Sequence, residues 1–343
     1  MTKASQRTLR IERAETRFAE PFRISGYLFE AMPSIVAHIT QSGVTGRGEA
    51  AGVYYLGDDQ ARMAGDVESV AAAIEGGASR EELQSLLPPC GARNALDCAL
   101  WELEAREEGQ PVWSLAGLPS PRPLLTTFTL PADAPAQIAE KVKRLGFAKA
   151  IKLKLEGNLD EDRERVATVR RARPDVWLSV DANQGFTGND LDGLAKLARE
   201  FSLSLIEQPV RRGDEAALEG WRPGIPVAAD ESILSLIELD GRADVFDVIN
   251  IKLDKCGGLT EALALAQAVR AMGKTVMIGN MGGSTLAMAP GFVVGQLCDV
   301  VDLDGPYSLA DDPLASQIYK DGAIFVREDI WGSEQTVSSE VIA

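Results

Sequence analysis

Five charged residues recur through the middle of the chain, each closing a short apolar run. Lys154 ends Ala150-Ile151-Lys152-Leu153, Asp181 ends Val176-Trp177-Leu178-Ser179-Val180, and Glu207 ends Leu203-Ser204-Leu205-Ile206. Asp230 ends Pro226-Val227-Ala228-Ala229, and Lys252 ends Val248-Ile249-Asn250-Ile251. They stand roughly 22 to 27 residues apart, the length of one strand-plus-helix unit. Parallel strands in a barrel bring their C-terminal ends to one mouth, where sites of that architecture lie.

Asp181, Glu207 and Asp230 are oxygen donors with no histidine or cysteine among them, a set that selects a hard divalent cation: magnesium, with manganese as the alternative. Any one of them could instead cap the helix that follows its strand; three in successive units favour the metal. Asn183, two residues after Asp181, either orients or supplements the ligands or serves a turn. Lys154 and Lys252 flank the acidic series and are expected to face each other across the mouth. A second lysine and a cation nearby should lower a lysine's pKa and release a neutral amine base. Two such bases beside a metal suit removal of the proton alpha to a carboxylate, stabilisation of the enediolate and return of a proton to either face. Lys152 is expected to contact the substrate carboxylate and stabilise its charge. Further on, Val300-Val301-Asp302-Leu303-Asp304-Gly305-Pro306 carries Asp302 and Asp304 on one side of a strand. That pair fits a cationic group such as an ammonium. An Asp-Gly-Pro turn would explain Asp304 but not Asp302.

The elements that must position these residues fall into two patterns. Strands are expected at Thr8–Glu12 and 34–40, with a turn-rich stretch from Gly43 to Gly52. Helices follow at 58–75, 79–87 and 91–108, the last ended by Gly109 and Pro111. After the proline-rich connector Pro119 to Pro123, eight strands alternate with helical segments. They are expected near 125–130, 150–155, 176–181, 203–207, 226–230, 247–252, 274–279 and 299–303. The fold class is therefore α/β: a (β/α) barrel of the modified TIM type with an N-terminal α+β capping domain. The expected bounds are 1–120 for the cap, 121–305 for the catalytic barrel and 306–343 for a segment packing back on the cap.

Composition removes other classes. The chain has 343 residues, a net charge of −16 and no basic stripe, which argues against nucleic acid or an anionic membrane as partner. No run reaches the ~18 apolar residues of a membrane span. The four cysteines follow no metal spacing and fit a reducing cytoplasm. The single histidine, His38, lies in the N-terminal strands, which argues against a histidine zinc site or a Ser-His-Asp triad in the barrel. Oligomeric state is not set by these features, and a homo-oligomer is open to them.

With these residues in place the chain resembles the enolase superfamily, in its subgroup of muconate cycloisomerases, o-succinylbenzoate synthases, N-succinylamino-acid racemases and dipeptide epimerases. The resemblance runs through essentially the whole chain. It is carried by Ala92-Arg93-Asn94-Ala95-Leu96-Asp97, Pro111-Val112-Trp113-Ser114-Leu115-Ala116-Gly117 and Lys152-x-Lys154. Asp181-Ala182-Asn183, Glu207-Gln208-Pro209, Asp230-Glu231-Ser232 and Asn250-Ile251-Lys252 stand at further motif positions. Asp302-x-Asp304 looks like the dipeptide epimerases, where it holds the substrate's free α-ammonium. The resemblance thus implies epimerisation at the C-terminal residue of a dipeptide, of the L-Ala-D/L-Glu type, a step of murein peptide salvage. A carbon–oxygen lyase or cycloisomerase, an N-acylamino-acid racemase, and a barrel that binds without turnover are the alternatives. Members that take C-terminal glutamate carry an arginine in the lid segment; here Gly26 stands in its place. Arg23 and Tyr27 are the lid residues expected to touch substrate, with Leu28 and Phe29 extending an apolar pocket.

Overall fold

A computed structural model describes residues 7–24 and 26–333. Residues 1–6, Ser25 and 334–343, the last being part of the expected C-terminal segment, lie outside the described residues.

Eight parallel strands stand side by side in chain order: β5 (Thr127–Leu130), β6 (Ala150–Lys154), β7 (Trp177–Asp181), β8 (Leu205–Glu207), β9 (Val227–Ala229), β10 (Val248–Ile251), β11 (Thr275–Ile278) and β12 (Val300–Val301). The edges β5 and β12 meet through side chains, with Thr127 Oγ1 donating to Asp302 and Leu303 N donating to Thr126 Oγ1 at 2.9 Å. Helices α5 (Pro135–Arg144), α6 (Leu159–Ala172), α7 (Leu191–Glu200), α8 (Leu253–Cys256), α9 (Leu259–Ala271) and α10 (Thr285–Gly295) connect them. After β8 and β9 only 3-10 turns stand where a helix would, at Glu215–Leu218, Leu236–Glu238 and Ala243–Val245.

Strand alternation decides which residues reach the barrel interior. Ile151, Leu153, Leu178 and Val180 are fully buried in a cluster that includes Ile138, Val142, Val166 and Val169 of α5 and α6. The opposite face carries Leu205, Ala228, Val248 and Met277, which form an inner apolar layer. Two residues above that layer, on the same face, stand Glu207, Asp230, Asn250 and Gly279. The barrel is thus a packed core with polar groups confined to its C-terminal mouth.

The cap is an antiparallel sheet of β1 (Thr8–Ile24), β2 (Tyr27–Gln41) and β3 (Val44–Ala50), covered by α1 (Gln60–Glu75), α2 (Arg80–Leu86) and α3 (Gly91–Glu108). Two expectations are corrected here. The first strands continue far past Glu12, because β1 and β2 pair from Thr8↔Thr40 to Ile24↔Tyr27, with an irregularity between Arg17 and Phe22. The turn-rich stretch is largely a strand. Gly46 and Gly48 serve close approach, since a Cβ on either would collide with the carbonyl oxygens of Ala99 and Ala95 in α3.

Helix α3 is buried on nearly every side, between that sheet and the barrel. Across this seam Trp101 Nε1 donates to Thr260 Oγ1 at 2.9 Å, Arg93 Nε to the Gly257 carbonyl at 3.0 Å, and Thr260 N to Asp97 Oδ2 at 2.9 Å. The short α4 (Val112–Leu115) leads to β4 (Leu124–Leu125). That strand pairs with β14 (Ala323–Ile324), which pairs with β13 (Tyr319–Lys320) after α11 (Ala315–Ile318). The chain then returns to the cap, where Trp331 Nε1 donates to the Arg47 carbonyl at 2.9 Å and Gly332 N to Glu102 Oε1 at 3.2 Å.

Candidate active site

The mouth brings Asp181, Glu207 and Asp230 together: one carboxylate oxygen from each lies within 4.8 Å of the others, and all three residues are buried. Two lysines enter this cluster from opposite ends. Lys154 Nζ donates to Asp181 Oδ2 at 2.5 Å, and Lys252 Nζ to Asp230 Oδ2 at 2.6 Å. Their strands, β6 and β10, are separated by β7, β8 and β9, so the ammonium groups flank the acidic series across the mouth. Lys152 Nζ donates to Asp302 and lies 3.5 Å from Glu207 Oε2.

Burial opposes a charge on Lys152 and Lys252, yet the surrounding carboxylates outweigh it and hold both well above the usual lysine range. The protein's own carboxylates thus act at Lys252 against the lowering expected there from a neighbouring lysine and a cation. Asp302, Glu207 and Asp181 sum at Lys152, and Asp230, Glu207, Asp181 and Glu231 at Lys252. The acids respond unequally. Burial and then the Asp181 charge push Glu207 up to about 7. Burial works against Asp230 as well, but Lys252 and Lys255 outweigh it and hold that carboxyl below its ordinary value.

A divalent cation fits this cluster. Its donors are oxygens alone, and Glu207 Oε2 is buried without accepting a hydrogen bond, although the other oxygen accepts from Asn250 Nδ2 at 2.6 Å. With Lys152 Nζ 3.5 Å away this oxygen has an ion pair but no hydrogen bond, a lack that costs roughly 1–3 kcal/mol at a buried acceptor and that a ligated ion would remove. Asn183, with φ of 40°, donates its backbone N–H to Asp181 Oδ1 at 2.9 Å. Its side-chain amide reaches Asp181 Oδ2 at 3.3 Å and Glu231 Oε1 at 3.5 Å, leaving its own Oδ1 unpartnered.

Asp302 and Asp304 are both buried beside β5. Asp302 accepts from Lys152 and Thr127; burial opposes its charge, but Lys152 holds its pKa below the usual range. Asp304 accepts from Thr129 N at 2.6 Å, and burial with the neighbouring Asp302 charge pushes it up to about 6. The expected strand ends at Val301, so these two acids form an anionic pole in the segment between β12 and the 3-10 turn Gly305–Ser308, joined to the acidic triad through Lys152.

Above the mouth, the tip of the β1–β2 pair closes a cavity whose walls include Phe18, Phe22, Ile24, Phe29 and Met32 with the strand ends. Neither Arg23 nor Tyr27, the lid residues expected to touch substrate, is on that wall. Phe22 and Ile24 face the cavity, so alternation turns Arg23 outward, where it lines a separate cleft with Glu20, Leu28, Lys141 and Arg144. Tyr27 pairs with Ile24 and stacks on Phe29, centroids 6.0 Å apart, so it shares their face of the sheet; it is half exposed and packs edge-on against Tyr54 at 4.7 Å. Tyr54 itself lines the cavity, as does Tyr55.

Sequence reasoning missed three buried residues. Lys255 Nζ donates to Asp230 Oδ1 at 2.7 Å and to the carbonyls of Asp230, Ile233 and Asn250. Its position one helical turn after Lys252 was the available signal. Glu231 lies beside the triad, pushed up to about 8 by burial and by Asp230 and Asp181. It stands directly after an assigned ligand. Thr127, which fixes Asp302, carried no signal.

The architecture and site together define the class: this chain belongs to the enolase superfamily. Residues 6–117 match the mandelate racemase / muconate lactonizing enzyme N-terminal domain, and residues 133–321 match the enolase C-terminal domain-like family. Among curated relatives, the chain is 38% identical to the L-Ala-D/L-Glu epimerase of Escherichia coli (strain K12), over 81% of this chain and 87% of that protein. It is 35% identical to an N-acetyl-D-glutamate racemase of a Pseudoalteromonas species, over 73% and 79%. It is 33% identical to a hydrophobic dipeptide epimerase of Roseobacter litoralis, over 88% and 91%. An enolase-family member from Agrobacterium tumefaciens, solved with sodium and L-Ala-L-Glu, superposes with a TM-score of 0.89 at 35% identity, covering 95% of this chain and all of that one. The dipeptide epimerase of Methylococcus capsulatus, solved with magnesium and L-Arg-D-Lys, gives 0.84 at 26% identity, covering 94% and 97%.

Proposed function

We infer that this chain is a dipeptide epimerase, an isomerase that inverts the α-carbon of the C-terminal residue. The observation that carries the reading is the pair of lysines engaging one acidic triad from opposite ends, with a separate Asp302–Asp304 pole just past the last strand. In this reading residues 1–120 cap the site, 121–305 form the catalytic barrel, and 306–343 strap the barrel to the cap. Asp181, Glu207 and Asp230 hold a divalent cation, magnesium or in its place manganese. When bound, the ion would supply charge that neutralises the substrate carboxylate and offsets the acid excess that holds a proton on Lys252.

The protein's own groups perform the proton transfers. The Nζ of one lysine takes the α-proton as the C–H electron pair moves into the carboxylate, leaving a planar carbon. The Nζ of the other lysine gives a proton to the opposite face as that pair returns to carbon, and the configuration is inverted. Lys152, held by Asp302, keeps an ammonium against the carboxylate. Asp302 and Asp304 receive the substrate's α-ammonium, Asn183 steadies Asp181, and Lys255 and Asn250 fix Asp230 and Glu207. Four buried free cysteines support a reducing, cytoplasmic setting, where recycling of peptide fragments, those of murein among them, would employ this reaction.

The similarity to an N-acetyl-D-glutamate racemase favours a second reading, racemisation of an N-acylated amino acid. An N-acyl group brings no ammonium to two buried carboxylates, so this reading leaves Asp302 and Asp304 without a substrate partner. One experiment separates the two. In deuterium oxide with magnesium, free dipeptides should acquire α-deuterium at the C-terminal residue, N-acetylated amino acids should not, and Glu207→Gln should abolish the exchange. Exchange confined to N-acetylated amino acids would establish the second reading.

A further inference from the structure

We propose that the residue epimerised here bears an apolar side chain, branched or aromatic, rather than the carboxylate of glutamate. The inference rests on the epimerase reading and specifies its substrate class. Once the α-proton has left, the α-carbon is planar, and its two faces look toward Lys154 and Lys252. Three in-plane directions remain. The carboxylate takes the acidic triad and Lys152; the amide nitrogen leads toward Asp302 and Asp304. The side chain is left with the third direction, toward the cap.

What the cap presents there is apolar. Phe22, Ile24, Phe29 and Met32 come from the β1–β2 tip, and Tyr54 from the turn after β3. Phe18 and Phe22 stack with centroids 5.6 Å apart, and Tyr54 packs edge-on against Phe29 at 5.2 Å, so the wall carries two packed ring groups. Met32 lies over Gly282, where a Cβ would strike its Cε. The loop Gly279-Asn280-Met281-Gly282-Gly283, which contains no phosphate motif, thus makes room for the lid's methionine.

Among the described residues, the cations on the cavity wall are Lys152, Lys154 and Lys252, and each already faces a carboxylate. Arg23 is turned to the outer cleft. A glutamate side chain would therefore bring a second carboxylate into an acid-rich mouth with no free cation to meet it, which is costly in a closed site. An apolar side chain would instead bury its surface against the rings.

The test uses the full chain with magnesium and a panel of L-Ala-L-Leu, L-Ala-L-Phe, L-Ala-L-Glu and L-Ala-L-Lys, with α-deuterium incorporation read as kcat/KM. Leu and Phe dipeptides should exceed the Glu dipeptide by at least about tenfold, the scale at which apolar pockets discriminate. Met32→Arg should move the Glu-to-Leu ratio toward Glu. Glu equal to or faster than Leu in the native protein would overturn the inference while leaving the epimerase reading standing. Exchange with no dipeptide would overturn that reading, and the inference with it.

Discussion

Buried carboxylates occupy two regions of this molecule and behave differently in them. At the cap–barrel seam, Asp254 accepts from Gly52 N at 2.8 Å, Asp97 from Thr260 N at 2.9 Å, and Glu49 from Ser284 N at 3.1 Å. Their partners are N–H and O–H groups, and burial pushes all three upward, Asp97 to about 6 and Asp254 to about 7. At the mouth, Asp181, Asp230 and Asp302 each meet an ammonium, and Asp230 and Asp302 are held below the usual range in spite of burial. Seam acids satisfy backbone donors and join two layers. Mouth acids retain charge that a cation or a substrate can use. Burial of an acid alone thus does not mark a catalytic site; burial together with an opposing lysine and an orphaned oxygen does.

The difference can be broken from either side. The largest expected effect lies at the mouth. Lys154→Ala and Lys252→Ala should each lower epimerisation by ~10²–10⁴-fold, the usual worth of a general base, in a steady-state assay. Their thermal stability should change far less than activity does. A variant retaining near-native turnover would remove its lysine from the mechanism.

Asp302→Asn should act more mildly, lowering kcat/KM for free dipeptides by roughly tenfold to a hundredfold, the range for loss of one charge-assisted contact. N-acetylated dipeptides should gain relative to free ones. Equal losses for both would mean that Asp302 serves only to hold Lys152.

The smallest effect lies at the seam. Asp97 has its folded pKa raised to about 6, so its contribution to stability is present below the ordinary carboxylate range and is lost as pH rises through about 6. Asp97→Asn keeps an acceptor for Thr260 N without the charge. The variant-minus-native difference in Tm should therefore be more positive at pH 8 than at pH 5, by an amount corresponding to about 1–1.5 kcal/mol. An unchanged difference between the two pH values would show that Asp97 does not titrate in the folded protein.

Much of the mouth was legible in the sequence because a charge that closes an apolar strand contradicts the burial logic of its neighbours. That signal located the triad, three lysines and the Asp302–Asp304 pair. It failed where position depends on packing of distant segments. At the lid, the β1–β2 register turns Arg23 to the outer cleft and keeps Tyr27 on the face of Ile24 and Phe29, an outcome that depends on an irregularity between Arg17 and Phe22. Gly46 and Gly48 read as turn residues because the helix they approach lies some fifty residues on. Lys255 reaches Asp230 from a helix rather than a strand end, outside the repeating pattern that exposed the other lysines.

The central claim is that Lys154 and Lys252 serve opposite faces of one carbon. It is tested most directly by following α-deuterium exchange in each single-lysine variant with each pure diastereomer of one reactive dipeptide, by proton NMR in deuterium oxide with magnesium. Lys154→Ala should exchange one diastereomer and Lys252→Ala the other, with neither interconverting them. Exchange of the same diastereomer by both variants, or of both diastereomers by either, would contradict the two-base account.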